Sequence, residues 1–384
     1  MQKFDPGWRV FWDLPVPQTG IQMLSVGKLV NLVQQTYAIT PIGTNAAHDS
    51  VSMTSDKPLT LDRPMLGIAL MLGFCCLAPL GDATAKLLGQ PELAQPVFQV
   101  VFLRFVMQAI FLIPAAMILR RPLRMSARTT VFVGLRTVFH ILGVGTMFLS
   151  LRFLPLAETI AIAFVMPFIL LLLGWRFMGE SVGWRRLMAC FIGFCGTLLV
   201  IQPSFAQVGW PAILPVGVAF FFAFFILVTR RIAKEVDPIG MQGVSGVMAV
   251  ILMVPFAVLG GFLAQTDSEG AALFWAGFSF APIPTGIFGL YLLLGLLGSF
   301  GHLLLTWSLR YAPSATLAPM QYLEIPIATL IGWVIFSDLP NGLAAIGILV
   351  TMLAGLYVIL RERAIARQGA KAPLATEPGP GAAV

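Results

Sequence analysis

The chain has 384 residues, of which 58% are hydrophobic and only 11% are charged, and its formal net charge is +7. Soluble domains average roughly 25% charged residues, so this composition excludes a water-soluble globular protein and indicates an integral membrane protein. The positive charge does not indicate a nucleic-acid partner, because the arginines punctuate long apolar stretches instead of forming one basic face.

The first residues of the chain differ from everything that follows them. Residues 1–64 are scattered with Pro, Gly, Thr, Ser and Asp and contain only a short apolar patch. They lack the ordered basic, apolar and cleavage regions of a secretory signal. We therefore predict that residues 1–64 form a disordered cytoplasmic extension, with Met53 and Met65 as alternative starts of translation.

Long apolar stretches fill the chain from residue 65 to residue 360. About 20 helical residues cross a bilayer core, since each residue rises about 1.5 Å. Windows of that length predict an all-α membrane protein with ten transmembrane helices. These spans lie near residues 65–88, 97–119, 130–151, 157–177, 187–203, 209–229, 239–264, 286–308, 315–336 and 343–360.

Basic residues alternate between the short loops and predict the orientation of the spans. Loops two, four and six and the tail hold Arg120, Arg121, Arg124, Arg128, Arg176, Arg185, Arg186, Arg230, Arg231, Lys234, Arg361, Arg363, Arg367 and Lys371. The opposite loops carry Arg152 as their one basic residue. Because positive charge resists translocation, we predict a multi-pass inner-membrane protein with both termini in the cytoplasm.

An internal repeat relates the two halves of the chain. The segment Ser150–Pro155 (SLRFLP) returns as Ser308–Pro313 (SLRYAP), and at the same spacing Glu180 corresponds to Asp338. Five spans in each copy force the second copy to enter the membrane the other way up, so the repeats are inverted. We predict a first repeat at residues 65–204, a second at 205–362 and a disordered cytoplasmic tail at 363–384.

Short motifs in both halves resemble a known superfamily. They are Leu154–Glu158 (LPLAE), Met178–Glu180 (MGE), Gly183–Arg186 (GWRR) and Ala318–Tyr322 (APMQY). Together they resemble the EamA-type ten-helix members of the drug/metabolite transporter superfamily, over about residues 65–362. Through Gln321–Pro326 (QYLEIP) and Phe102–Phe105 (FLRF), the chain is similar to the bacterial riboflavin-transporter and S-adenosylmethionine-uptake branches. The resemblance implies alternating access of a central cavity, although this fold alone does not name a cargo.

Ionisable residues in the middle of a span are candidates for the functional site, because each costs at least about 2.5 kcal/mol on insertion scales. Glu324 and His140 are suited to exchange a proton, and Arg104 to hold an anionic or carbonyl group. The alternative is an internal ion pair or hydrogen bond that only fixes helix positions. We predict a substrate-binding or coupling set of Arg104, His140, Glu324, Gln321, Tyr322 and Gln99.

Other ionisable residues are expected to be structural. Asp82 and Lys86 are four residues apart on one helix and are predicted to pair with each other. Arg136 is close enough to the end of its span to extend its charge to the membrane surface. Glu158 begins its span and is expected to meet water.

Enzymatic and metal-binding alternatives have little support in the sequence. The cysteines lie inside apolar segments, so we predict no disulfide framework, no metal site and no cofactor. Ser245 in a Gly-Val-Ser-Gly segment and His302 superficially match an intramembrane serine protease. The repeat, the ten spans and the superfamily motifs favour a transporter instead.

The sequence thus predicts a secondary transporter, not an enzyme, that moves a small metabolite across the inner membrane by alternating access. Riboflavin uptake is the first candidate function, and the alternatives are S-adenosylmethionine uptake and amino-acid or metabolite export. The expected partners are a small-molecule substrate and the lipid bilayer, and no nucleic acid is expected. Formation of a homodimer is a further possibility.

Overall fold

The computed structural model describes residues 64–178, 184–233, 235–263, 277–311 and 317–371. All regular structure in these ranges is helical, which confirms the predicted all-α class. The α-helices are α1 (Pro64–Gly89), α2 (Val97–Ile118), α3 (Ala127–Ser150), α4 (Leu156–Ala163), α5 (Met166–Met178), α6 (Trp184–Val208), α7 (Leu214–Ile232), α8 (Pro238–Leu263), α9 (Phe288–Tyr311), α10 (Glu324–Phe336) and α11 (Gly342–Lys371). Short 3-10 turns at Trp210–Ile213, Thr285–Ile287 and Ala318–Leu323 lead into α7, α9 and α10.

Seven helices in the described ranges are long and apolar enough to cross a bilayer. Three further apolar helical stretches are shorter: Leu156–Leu170, Gln321–Phe336 and Gly342–Ala354. The chain is therefore a multi-pass membrane protein, while the count of ten spans stays a prediction. Glu180 and most of the predicted N-terminal extension lie outside the described residues.

The C-terminal helix extends further than predicted. α11 continues to Lys371, beyond the predicted end of the tenth span near residue 360, and the disordered tail at 363–384 stays a prediction. Residues 363–371 include Ala, Arg, Gln and Lys, all of which have high helix propensity. Residues 372–384 lie outside the described ranges.

Helices from the two halves of the chain pack against each other in pairs. The most extensive packing joins α1 with α9, α3 with α7, α2 with α8, and α6 with α11. If each of the first five predicted spans is exchanged for its counterpart among the last five, the α1–α9 pair becomes the α7–α3 pair. The same exchange turns the α2–α8 pair and the α6–α11 pair each into itself. This pattern agrees with halves related by a two-fold axis, and the boundary at residues 204 and 205 stays a prediction.

Small residues allow the closest of these helix contacts. A Cβ atom on Gly196 of α6 would lie 2.6 Å from Thr351 Oγ1 and 2.9 Å from the Gly347 carbonyl oxygen, both on α11. Helices in lipid associate through such close approach, because apolar surface gains nothing by leaving lipid for protein.

One end of the bundle carries polar contacts between distant parts of the chain. We call it the Lys86 end and define it by Lys86, Gln95, Arg152 and Asp338. Lys86 donates to Asp338 Oδ2 at 2.5 Å, and Arg152 donates to the Gly89 and Gln95 carbonyl oxygens. The Lys86–Asp338 contact joins the first half of the chain to the loop after α10, and the Arg152 contacts hold the loop between α1 and α2.

Candidate functional site

A cavity lies at the centre of the bundle, with walls from α1, α2, α3, α4, α5, α7, α9 and α10. Most of its lining is apolar and includes four aromatic side chains, those of Phe74, Phe148, Phe164 and Phe222. Its polar lining consists of Asp82, Arg104, His302, Gln321 and Glu324. Mainly apolar walls with a few convergent polar groups are typical of small-molecule binding sites.

Two interrupted helices bring helix ends to this cavity. The helical stretch of the fourth predicted span breaks at Phe164 and Val165, and the ninth changes from a 3-10 turn to α10 at Glu324. The spacing that relates Ser150 to Ser308 also relates Met166, which begins α5, to Glu324, which begins α10. Discontinuous helices at corresponding positions of two repeats are a marker of transporter binding sites.

Arg104 presents an unsatisfied guanidinium to the cavity. Its side chain is 3% exposed and lies against α9, where a Cβ atom on Gly298 would come within 2.7 Å of Arg104 Nε. Nη1 is buried and has no hydrogen-bond partner in the described part of the chain. A guanidinium can donate two parallel hydrogen bonds to a carboxylate, so Arg104 is suited to bind an anionic or carbonyl group.

Two carboxylates face the same cavity. Asp82 and Glu324 are half-buried, and among the described residues neither accepts a hydrogen bond or forms an ion pair. Asp82 attracts Arg104 and repels Glu324. The cavity therefore combines two like charges with one opposite charge in a region of low dielectric constant.

The predicted pairing of Asp82 with Lys86 is wrong. Lys86 reaches across to Asp338 and lies 4.6 Å from the centre of the Phe336 ring, which leaves Asp82 to the cavity. Sequence reasoning missed Asp82 as a candidate because a neighbouring cation was available on the same helix. Its depth was the better signal, since it lies about two turns before the end of α1 at Gly89.

His302 and His140 form a buried pair beside the cavity. Their Nε2 atoms are 3.2 Å apart, so one ring donates a hydrogen bond to the other. His302 lines the cavity, whereas His140 lies behind it and packs against Phe105 and Phe225. His140 thus reaches the cavity only through His302, and not by the direct contact with Glu324 that the sequence suggested.

The structure places one of the three uncharged site candidates in the cavity wall and the other two outside it. Gln321 lines the cavity and is 6% exposed. Tyr322 packs against Phe164, with ring centres 5.1 Å apart, and Gln99 is buried in a network with Gln95 and Tyr291 near the Lys86 end. Of the six predicted site residues, Arg104, Gln321 and Glu324 line the cavity, and His140, Tyr322 and Gln99 do not.

Arg136 does not extend to the membrane surface, which contradicts the prediction from its position. It is fully buried, and its Nε and Nη1 donate to Thr229 Oγ1 and Ser245 Oγ at 2.8 and 3.1 Å. Its guanidinium carbon lies 4.3 Å from the centre of the Phe225 ring. Arg136 therefore ties α3 to α7 and α8, because it stands on the inner face of its helix.

Glu158 does not meet water as predicted. It is 4% exposed and accepts a hydrogen bond from Ser204 Oγ at 2.6 Å. It lies in the first turn of α4, where the helix dipole favours a negative charge. Glu158 is thus a buried carboxylate with a partner, unlike the two carboxylates of the cavity.

The arrangement excludes the protease alternative. Ser245 Oγ lies 2.6 Å from Thr137 Oγ1 and accepts from Arg136, while His302 is bonded to His140. No hydrogen bond joins Ser245 to His302 in the described part of the chain. A serine nucleophile needs such a contact with its base.

Comparison with known proteins gives consistent matches. The model of the EamA-like transporter family matches residues 65–202 and again residues 209–361. A riboflavin transporter of Rhizobium johnstonii is 30% identical over 59% of this chain and 69% of its own length. An S-adenosylmethionine uptake transporter of Rickettsia bellii is 24% identical over 69% of this chain and 84% of its own length.

A solved crystal structure shares the fold. It superposes with a TM-score of 0.53 at 18% identity and covers 79% of this chain and 98% of its own length.

Proposed function

Since the chain belongs to the EamA-like transporter family, we propose that it moves a small amphipathic metabolite through the central cavity by alternating access. The observation that carries the proposal is that Asp82, Arg104 and Glu324 line one cavity, and that neither carboxylate nor Arg104 Nη1 has a hydrogen-bond partner among the described residues. Buried charges without partners destabilise a fold, so their retention at one place favours a binding role.

Riboflavin uptake is the first candidate activity. It is supported by the riboflavin transporter among the relatives and by an apolar wall with four phenylalanines, which suits a planar ring system. S-adenosylmethionine uptake is the second candidate, supported by the relatives of that name and by the mixed charges of the cavity. That compound carries a carboxylate and two positive groups.

Alternating access follows from the two halves of the bundle. We assign residues 65–204 and 205–362 to two inverted repeats, each of which is matched by the family model. The distribution of arginines favours an inner-membrane location with both termini in the cytoplasm. In that orientation the Lys86 end faces outward, so the contacts that close it separate the cavity from the outer solution.

Growth rescue tests this function. The full chain would be expressed in riboflavin-auxotrophic cells that lack their own uptake system, with labelled S-adenosylmethionine and an amino-acid panel assayed in parallel. We expect rescue at low external riboflavin, or else uptake of labelled S-adenosylmethionine. Equal growth and equal uptake in cells with an empty vector would remove both candidates.

A further inference from the structure

We propose that Asp82 and Glu324 form a site for one unit of positive charge, filled by a proton in the empty cavity and by a cationic group of the cargo when loaded. The charge count of the cavity supports this site. Two carboxylates and one guanidinium line it, which leaves one negative charge uncompensated when all three are ionised. The cargo part of the inference rests on the proposed function.

The neighbouring titratable groups do not supply the missing charge. His302 faces the cavity from α9, with His140 behind it on α3, and their mutual hydrogen bond uses one proton between the two Nε2 atoms. Both Nδ1 atoms are buried without a partner in the described part of the chain, so an additional proton on this pair would have no acceptor. Arg104 and Arg136 both repel an additional proton on this pair. The thiol of Cys75 on α1 contributes no positive charge.

Arg136 lies outside the lining of the cavity, where it contacts Thr229 and Ser245. Its charge is therefore directed toward the hydroxyl groups of α7 and α8, and Asp82 is attracted by Arg104. Arg104 can neutralise one carboxylate of the cavity but not both. The second carboxylate repels the first across apolar walls, where charge is poorly screened.

A proton on either carboxyl oxygen removes this repulsion in the empty protein. When a cargo brings an ammonium or sulfonium group to the same place, the carboxyl O–H bond breaks and its electron pair stays on oxygen. The proton passes to water, and the positive group of the cargo takes over the charge balance. Arg104 Nη1, which is buried without a partner, is available for a carboxylate on that cargo.

The substrate class that fits is an amino-acid-like metabolite with one net positive charge. S-adenosylmethionine has this charge pattern, because its carboxylate is outnumbered by its ammonium and sulfonium groups. A neutral compound such as riboflavin would leave the proton in place. Binding of these two compounds therefore differs in the number of protons released.

Infrared spectroscopy tests the empty site without any cargo. Full-length protein in lipid vesicles at neutral pH is expected to show the carbonyl stretching band of a protonated carboxylic acid. Asp82→Asn and Glu324→Gln should each lose this band, because one remaining carboxylate is balanced by Arg104. Glu158→Gln, which alters a buried carboxylate outside the cavity, should retain it. A wild-type spectrum without the band, or both cavity variants with it, would overturn the inference.

Proton release tests the loaded site. Purified protein in weakly buffered detergent solution is mixed with S-adenosylmethionine or riboflavin, and binding and pH are recorded together. The charge balance predicts about one proton released per bound S-adenosylmethionine and none per bound riboflavin. Binding of S-adenosylmethionine without proton release would refute the exchange. If neither compound binds, the proposed cargo is wrong, and the infrared band still decides whether the carboxylates share a proton.

Discussion

The Lys86 end and the central cavity are built largely from the same helices but treat polar groups in opposite ways. At the Lys86 end, Lys86 is paired with Asp338, and Gln99 bonds to Gln95 and Tyr291. In the cavity, Arg104 has a buried nitrogen without a partner in the described chain. Satisfied polar groups stabilise helix packing, whereas unsatisfied ones cost stability and are retained for another role. Arg136 also has one buried nitrogen, Nη2, without a partner in the described chain, but its other nitrogens bond to Thr229 and Ser245 and it does not line the cavity. Position in the cavity wall together with missing partners therefore distinguishes residues offered to a ligand from residues that hold the bundle together.

Arg104→Gln should produce the largest loss. A hydrogen bond to a charged group contributes about 1.5–3 kcal/mol, which corresponds to a roughly 10- to 150-fold lower affinity for cargo. The amount of protein in the membrane should not fall, because the guanidinium gains little from the fold. Uptake assays and immunoblots of membranes measure both quantities. Arg136→Gln is the matched control, and it should instead lower the melting temperature. Equal thermal destabilisation by both variants would contradict the distinction.

Glu324→Gln should lower transport about tenfold while membrane insertion stays normal, because it removes one of the two carboxylates that bind the proton and the positive group of the cargo. Any dependence of uptake on external pH should flatten in this variant. Glu158→Gln changes a carboxylate that is bonded to Ser204 outside the cavity, and its transport and pH profile should match the wild type. The same uptake as wild type by Glu324→Gln at every pH tested would rule out a role for this carboxylate.

Breaking the Lys86–Asp338 pair should have a smaller effect than the two cavity substitutions. It should shift the equilibrium between the closed and open states of the Lys86 end. A partly exposed ion pair contributes about 0.5–1 kcal/mol, and the Lys86 and Asp338 side chains are 13% and 32% exposed, so Lys86→Ala should open this end roughly two- to fivefold more often. A cysteine at Leu297, in a background without native cysteines, reports the opening by its reaction with an impermeant thiol reagent. The exchanged pair Lys86→Asp with Asp338→Lys should restore the slow reaction. No change in the single variant would show that the pair does not hold this end closed.

The two glutamines should give the smallest effects and should differ in kind. Gln321→Leu removes a polar group from the cavity wall and should raise KM about fivefold, because one hydrogen bond contributes about 1 kcal/mol. Gln99→Leu should leave KM within about twofold and lower the melting temperature, because Gln99 bonds only to structural partners. Saturation curves and thermal denaturation in detergent separate these outcomes. A larger KM change for Gln99→Leu would reverse the assignment.

Some of the cavity could be predicted from the sequence because membrane depth is readable from hydropathy. Arg104 and Glu324 are charges far from span ends, and both line the cavity. Depth does not tell which face of a helix a residue occupies, and for this reason Gln99 was grouped with the site and Arg136 was assigned to the surface.

Contacts between residues far apart in the chain could not be predicted from the sequence either. The sequence predicts Lys86, one turn away, as the partner of Asp82, but Lys86 pairs with Asp338, which only the packing of α1 beside α10 brings near. The short interruptions at Phe164 and before Glu324 lie near Pro167 and Pro319, but prolines also stand inside the unbroken helices α1, α2 and α8, so proline alone does not mark a break. These features depend on tertiary packing, which hydropathy does not contain.

Protection of a cavity cysteine by cargo tests the central claim most directly. A single cysteine at Ala163, a partly exposed residue of the cavity wall, is labelled with a small thiol reagent in the presence or absence of the transported compound. Cargo at ten times its Kd should slow labelling about tenfold, since the free fraction falls in that proportion. A cysteine at Gln90, outside the cavity, should react at an unchanged rate. Equal labelling of Ala163→Cys with and without cargo would show that the compound travels by another route.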